Sequence, residues 1–232
     1  MISSEPDPER TTPQRPQVSI PWTPQAKAEY SRLMPSTPDA PTRAALNALI
    51  KRAIFQTLQD ATPKLPALLN LQNPLFSIDV SIVGDAEIQE LNSVHRNKNK
   101  PTDVLSFSQM EGEWMPFPPV GIGPKNGVES GEEILLGDLI ISIETAVRQA
   151  GELKHDLPHE IAFLTAHGVL HLLGYDHDTT SRRRAMFAMQ DKIVASLESA
   201  PKRAPKRAPK SSAKNAKSSS KKPLISPTVS LG

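Results

Sequence analysis

The stretch from His167 to His177 constrains this chain more than any other, because it spaces three histidines as H-x3-H-x5-H. Residues four apart lie on the same face of an α-helix, so His167 and His171 can direct two imidazoles to one point. Gly174 is suited to end that helix, since glycine adopts the left-handed C-terminal conformation without strain. The chain can then turn back and bring His177 to the same point. Three neutral imidazoles leave a fourth position for water or substrate, as in a catalytic zinc site.

The absence of cysteine limits what else this site can be. The sequence contains no cysteine, which excludes disulfides and thiolate metal sites, so histidine and carboxylate groups must supply the ligands. We expect one Zn²⁺ per chain, although three imidazoles also suit nickel, copper or iron. Gly168 stands where a metallopeptidase of the H-E-x-x-H type has its glutamate base, which counts against a peptidase.

Charge and composition divide the chain into three parts. Residues 1–41 are rich in proline, serine and threonine and are predicted to be disordered, although Trp22 and Tyr30 could pack against a folded part. Residues 42–199 form the predicted domain. Residues 200–232 are predicted to be a disordered basic tail, since nine lysines and arginines and no acidic residue follow Glu198. Such a tail either binds nucleic acid through counterion release or serves only solubility.

Apolar periodicity predicts the elements of the domain. The predicted helices span residues 44–59, 85–94 with Asp85 as the cap, 142–151, 156–173 with Asp156 as the cap, and 181–197. The predicted strands span residues 77–83, 102–107 and 135–141, the last in a central position because its apolar run is nearly continuous. Residues 60–74 and 108–133 are predicted loops. No apolar run is long enough for a membrane span, and the N-terminus lacks a signal pattern, so we expect a cytoplasmic protein.

Other polar residues are candidates for the site. Arg96, in a basic loop over residues 95–101, could hold a phosphate through two parallel hydrogen bonds, or could be an ordinary exposed arginine. Asp138 could orient a histidine through its second ring nitrogen, or simply lie at a strand end. Asp176 and Asp178 could act as a base, could hold a metal-binding histidine in place, or could only shape the turn around His177. The remaining histidines are expected to be exposed or capping residues: His95, His155 and His159.

Three blocks of the sequence resemble one protein family in their order and spacing. They are Glu90-Leu91-Asn92 with Arg96 and residues 100–107, then Leu136-Gly137-Asp138-Leu139, then the histidine stretch over residues 167–177. They are similar to the YbeY family of bacterial rRNA maturation factors over residues 44–198. The resemblance is most specific in the last block, because the histidine string with Gly-Tyr-Asp is the signature of the family.

The resemblance implies a single-strand-specific, metal-dependent endoribonuclease that acts in 16S rRNA 3′-end maturation and ribosome quality control. It implies zinc on His167, His171 and His177, and an essential arginine, either RNA-binding or catalytic, at Arg96. We expect His167 and Arg96 to be the catalytic residues. The implied fold is α/β, a single domain with a small mixed sheet of about four strands and about five helices. We expect the metal site at a helix end and the following turn. The implied partners are ribosomal RNA, the small ribosomal subunit and its proteins, with no membrane. The basic tail is a candidate for a further RNA contact on its charge alone.

The sequence departs from the family pattern near the arginine. Ser108 stands where the family usually has proline, and Asn97-Lys98-Asn99 replaces Gly-Lys-Asp. Residues 108–133 form a longer stretch than usual, and both termini are extended. These changes leave the metal ligands intact but bear on how RNA approaches Arg96.

Two alternative functions remain, a ribosome assembly factor with a structural metal and a zinc metallopeptidase. The general base also remains open among Asp176, a water molecule and the substrate phosphate.

Overall fold

Four strands and six helices make up the part of the chain that the computed structural model describes, residues 15–34, 40–61, 75–109 and 133–199. The strands are β1 (Gln17–Ser19), β2 (Leu75–Val83), β3 (Val104–Ser108) and β4 (Glu133–Ser142). The helices are α1 (Pro24–Leu33), α2 (Arg43–Ala61), α3 (Asp85–Arg96), α4 (Ile143–Leu153), α5 (Leu157–Leu172) and α6 (Thr180–Ser199). None of these helices is long and apolar enough to cross a membrane.

The four strands form one mixed sheet in the order β1-β2-β4-β3. β1 pairs with β2 and β2 with β4 in parallel, whereas β3 pairs with β4 in the antiparallel direction. The α/β class and the mixed four-stranded sheet are therefore confirmed, and so is the central position of the apolar strand β4. Six helices are present where about five were predicted, because α1 was not foreseen.

The histidine helix α5 lies at the centre of the packing. It contacts α2, α4 and α6 as well as β3 and β4. Its mean hydropathy is high and most of its side chains are buried, including Ile161, Leu164 and Leu170. A helix that is apolar on nearly all sides must be covered on nearly all sides. The ends of α5 and the side chains directed away from this core are thus the places where polar chemistry can occur.

The prediction of disorder is wrong for residues 15–34, which form β1 and α1. Trp22 and Tyr30 are more than nine-tenths buried, and their rings meet edge to face with centroids 5.3 Å apart. Trp22 Nε1 also donates a hydrogen bond of 2.8 Å to Asn47 Oδ1 on α2. Two aromatic side chains bury enough apolar surface to order a short segment, even when its average composition is polar. Residues 1–14 and 35–39 lie outside the described residues.

The other element boundaries agree with the predictions to within a few residues, apart from one cap. Asp85 was predicted to cap α3, but the cap is Gly84, whose N–H donates to Glu87 Oε2 at 2.8 Å. Asp85 instead accepts hydrogen bonds from the hydroxyls of Ser142 and Thr145 at the start of α4. Most of the predicted loops over residues 60–74 and 108–133, and the basic tail, lie outside the described residues.

Candidate metal centre

Helix α5 and the turn that follows it position all three histidines. Asp156 caps α5 by accepting a hydrogen bond of 2.8 Å from the His159 N–H, as its sequence position predicts. The helix ends at Leu172, and Gly174, two residues later, has a φ of 81° and donates from its N–H to His171 O at 2.9 Å. This positive φ reverses the chain, and the N–H of the buried Tyr175 donates back to Leu170 O at 3.0 Å. The reversal brings residues 176 and 177 back beside the last turn of α5.

The acidic residues around the third histidine shape its turn. Asp176 Oδ1 accepts a hydrogen bond of 2.7 Å from the N–H of His177. Asp178 Oδ2 accepts one of 3.0 Å from Arg182 Nη1, which ties the turn to the first turn of α6. Of the roles considered for these aspartates, turn formation is the one that the hydrogen bonds of both support.

The three histidines converge, and their geometry fits a divalent ion. One ring nitrogen from each of His167, His171 and His177 lies within 4.8 Å of the other two. The Nε2 atoms of His167 and His171 are 3.2 Å apart. Two imidazole nitrogens on a tetrahedral zinc, each 2.0–2.1 Å from it, lie about 3.3 Å from one another. The donor set and its spacing thus suit zinc.

Burial and mutual repulsion keep the imidazoles of His167 and His171 in the form that binds a metal. Burial lowers the pKa of His167 below the usual range for histidine. Burial, followed by the neighbouring rings of His167 and His177, lowers the pKa of His171 to about 4. Both rings are therefore neutral near pH 7, and neutral imidazole is the form that coordinates an ion.

Gln190 on α6 is the partner that sequence reasoning missed. Its side chain is fully buried, and its Oε1 lies 3.1 Å from His167 Nδ1. An amide oxygen can only accept, so this contact favours the proton on Nδ1 and leaves the lone pair of Nε2 directed at the site. One signal was available, because Gln190 is the single polar residue in the otherwise apolar buried stripe of α6: Met186, Gln190, Ile193, Val194 and Leu197.

Asp138, the carboxylate proposed for that orienting role, does not perform it. It pairs in register with Phe107 of β3, and its Oδ2 lies 3.5 Å from Gln109 Nε2. The prediction that Asp138 holds a ligand histidine is therefore replaced by the contact between His167 and Gln190.

We expect Gln190→Leu to weaken metal binding by about 10- to 100-fold, the usual effect of losing the partner of a metal-binding imidazole. Among the described residues, Nε2 of Gln190 has no hydrogen-bond partner, so leucine removes only the contact with His167. Competition with a chromophoric chelator measures the affinity. Gln190→Glu, which keeps an acceptor at this position, is the matched control and should bind at least as tightly as the unsubstituted chain. Equal affinity of the leucine variant would contradict this role.

The packing around Gly168 leaves no room for the glutamate that a peptidase has at this position. A Cβ atom at this position would lie 2.1 Å from Leu139 Cδ1 and 3.4 Å from Val104 Cγ2. The residue after the first histidine therefore packs against β3 and β4, where a side chain cannot reach the ligand nitrogens. The site lacks the base that an H-E-x-x-H peptidase needs, both in sequence and in geometry.

A cavity of about 650 Å³ lies over the three histidines. Its other walls are residues 102–108, which include β3, the turn over residues 174–177, and His95 and Arg96 at the end of α3. Arg96 is exposed and is the last residue of α3 rather than part of a loop, because Asn97 ends the helix with a φ of 54°. The structure thus brings Arg96 and His167, the two residues predicted to be catalytic, to one cavity.

The remaining histidines take up separate positions. His155 Nε2 lies 2.5 Å from Glu160 Oε2, and His159 Nδ1 lies 2.5 Å from Glu198 Oε1. Neither lines the cavity. His95 does line it, and its ring meets Phe107 edge to face with centroids 4.8 Å apart.

Comparison with known proteins agrees with this architecture of the site. Residues 42–198 match the family model described as Endoribonuclease YbeY. A protein of that name from Symbiobacterium thermophilum is 46% identical over 121 residues, which cover 52% of this chain and 71% of that one. One from Moorella thermoacetica is 48% identical over 120 residues, covering 52% and 72%. One from Picosynechococcus is 39% identical over 145 residues, covering 62% and 82%.

A solved structure from Thermotoga maritima is 22% identical, with a TM-score of 0.41 over 78% of this chain and 89% of that one, a likeness too weak to support an argument. The family match is decisive by itself, because it spans more than half of the sequence and contains both Arg96 and the three converging histidines. This chain belongs to the Endoribonuclease YbeY family.

Proposed function

We propose that this chain is an endoribonuclease that hydrolyses phosphodiester bonds of single-stranded RNA with a zinc ion held by His167, His171 and His177. One observation carries the proposal, namely that the three histidines and Arg96 line the same cavity. A cation site beside a guanidinium suits a substrate that brings an anionic phosphate to the reacting bond. The names of the relatives, all endoribonucleases, support the same class of reaction.

The protein groups around the cavity have separable roles in this reaction. His167, His171 and His177 would hold a divalent ion without neutralising its charge, and such an ion would supply Lewis acidity toward a water molecule and a phosphoryl oxygen. Gln190 holds His167 in the tautomer that binds the ion. Arg96 grips a phosphate oxygen pair and neutralises the charge that develops there.

Asp176 is the carboxylate best placed to accept a proton in the cavity. Asp103 also lines the cavity, but its Oδ1 accepts from the Val104 N–H at 2.8 Å and its Oδ2 from Gln149 Nε2 at 3.1 Å. Asp176 is exposed, and within the described ranges only its Oδ1 is engaged. Water or the substrate phosphate itself are the other acceptors that this chemistry allows.

The biological setting is part of the proposal. We infer a cytoplasmic enzyme that acts on ribosomal RNA of the small subunit, in 16S rRNA 3′-end maturation and ribosome quality control, as the family resemblance implies. The exposed cations beside the cavity support a polyanionic partner: Arg96, Lys98 and Lys100. The basic tail is a further RNA contact in this proposal.

A second candidate is an RNA-binding ribosome assembly factor in which the metal is only structural. The observation that favours it is the position of the ligands, because His177 lies in the turn between α5 and α6 while the other two lie on α5. A metal ion would therefore also tie these two helices together. This candidate predicts RNA binding without cleavage.

Arg96→Ala is the experiment that tests the proposed function. We expect cleavage of a fluorescent single-stranded RNA to fall about 100-fold at unchanged zinc content, the usual effect of removing one donor to a developing anion. Arg32→Ala is the matched control, since Arg32 is an exposed arginine on α1 and α1 does not line the cavity. Equal rates for the two variants would remove Arg96 from the mechanism. RNA binding without any cleavage by the unsubstituted protein would favour the assembly factor.

A further inference from the structure

The first two turns of α6 present cationic and aromatic side chains beside the histidine cluster. Arg183, Arg184 and Phe187 are exposed, and we refer to these three residues as the α6 surface. None of them lines the cavity or belongs to the ligand set. We propose that the α6 surface binds single-stranded RNA next to the metal site, the arginines contacting phosphates and Phe187 stacking on a base. This inference rests on the proposed function and extends it to a second contact region.

Two members of the α6 surface approach the third histidine directly. The ring centroid of Phe187 lies 6.4 Å from that of His177, and Arg183 Nη2 lies 3.5 Å from His177 O. Residues 183 and 187 are four apart and share one face of the helix. Nucleotides held by this face would therefore lie beside the metal ligands rather than at a remote part of the protein.

Phe187 is unusual because it is a large apolar ring left in solvent. Its side chain is 42% exposed, whereas Met186, the residue before it, is fully buried. The plane of Phe187 is tilted by 38° to that of His177, so the two rings do not stack face to face. A solvent-exposed aromatic face next to arginines is a typical platform for an unpaired base.

The charges of the α6 surface are not cancelled by the acidic residues near it. Asp178, in the turn before α6, forms its ion pair with Arg182 at 3.0 Å. The side chain of Arg184 has no hydrogen bond or ion pair to any residue in the described part of the chain, and the guanidinium of Arg183 bonds only to the carbonyl of His177 there. Asp176 is the other exposed acidic group of this turn. Two guanidinium groups thus remain available for phosphate, which they bind in a bidentate manner.

The α6 surface complements the side of the cavity that holds Arg96. There, too, a cation lies beside aromatic rings, since Arg96 lines the cavity together with His95 and Phe107. An RNA strand whose reacting phosphate is at the histidine cluster can contact Arg96 from α3 and the α6 surface from a different helix. Charge complementarity alone would also suit an acidic peptide, but a peptide of aspartate or glutamate offers nothing for Phe187 to stack on.

The proposal is tested by measuring how tightly the zinc-loaded full chain binds a fluorescent 2′-O-methyl oligouridine. The oligonucleotide has about 12 nucleotides, a length within the usual span of single-strand binding sites. For Arg183→Gln with Arg184→Gln, we expect the slope of log affinity against log salt to fall by about 1.4, or about 0.7 for each phosphate contact. For Phe187→Ala, we expect binding at least about fivefold weaker with an unchanged salt slope, because stacking does not release counterions.

Lys27→Gln with Arg32→Gln is the matched control, because it removes the same charge from exposed positions on α1. It should leave both the affinity and the salt slope nearly unchanged. Melting temperature and zinc content, measured for every variant, separate a loss of contact from a loss of fold. The basic tail is present in all of these proteins and contributes equally to each.

The outcomes distinguish the inference from the function on which it rests. If the unsubstituted protein cleaves RNA but the arginine variant and Phe187→Ala both bind RNA like the control, the proposed function stands and the proposal for the α6 surface is wrong. Binding of polyglutamate is measured for the same proteins. If Phe187→Ala binds RNA normally, and the arginine variant loses affinity for polyglutamate as strongly as for RNA, the surface is a general anion site and the proposal is overturned. If the unsubstituted protein neither binds nor cleaves RNA, both proposals fail together.

Discussion

Replacing His171 with alanine is expected to abolish zinc binding and, under the proposed function, to lower RNA cleavage by at least about 1,000-fold, because two imidazoles do not suffice to hold the ion. His171 is the central ligand of the three. Its Nε2 is 3.2 Å from that of His167, and its ring centroid is 5.1 Å from that of His177. Zinc content by mass spectrometry and single-turnover cleavage of single-stranded RNA measure the two effects.

His159→Ala is the matched control for this experiment, since it makes the same substitution on the same helix. His159 is partly exposed and pairs with the exposed Glu198, away from the cavity. We expect this variant to retain zinc and cleavage. Cleavage by a zinc-free His171→Ala protein at the normal rate would show that the ion is not part of the reaction. A variant that loses its fold together with its zinc, while the intact protein binds RNA without cutting it, would favour the structural metal.

The histidine cluster could be predicted from the sequence because every interaction that forms it is local. The helical spacing of His167 and His171 and the reversal at Gly174 lie within a stretch of 11 residues. The geometry of a helix and of a glycine turn depends little on the rest of the fold. No information about distant packing was needed to place His177 beside the other two.

The contact of Gln190 with His167 and the direction of the Asp138 side chain depend on packing that the sequence does not show. Gln190 reaches His167 because α6 packs against α5, and the choice of facing residues is set by tertiary structure. Asp138 follows an irregularity in β4, where Leu135 and Gly137 pair with the consecutive residues Ser77 and Ile78. An extra residue of this kind reverses which side chains point to each face of a sheet.

The N-terminal segment shows the limit of composition as a guide. Averaged over residues 1–41, proline and polar residues dominate, which predicts disorder. The structure instead depends on the specific placement of Trp22 and Tyr30, which both join the main apolar core, and Trp22 also bonds to Asn47 of α2. The average composition of 41 residues does not show the effect of two aromatic side chains at particular positions.

Replacing Gly137 with alanine is expected to lower the free energy of unfolding by about 2–5 kcal/mol, the combined effect of a strained backbone and of overpacking. Gly137 has a φ of 137°, a region that residues with a Cβ atom rarely adopt. A Cβ atom there would lie 2.1 Å from Phe107 O and 3.1 Å from Gln109 N. Both neighbours are backbone atoms of β3 and the residue after it, so no side-chain rotation can relieve the clash.

The strain cannot be released without damage to the site. Gly137 pairs with Ser108, and Gln109 N–H donates to Leu136 O at 3.0 Å, so moving the chain apart breaks the end of the β3–β4 pairing. Residues 102–108 form one wall of the cavity, so we expect cleavage to fall as well. Gly151→Ala is the matched control, since a Cβ atom on that residue of α4 meets nothing within 4 Å and alanine favours a helix by about 1 kcal/mol. Urea denaturation that gave both variants the same stability would show that β4 does not require glycine at this position.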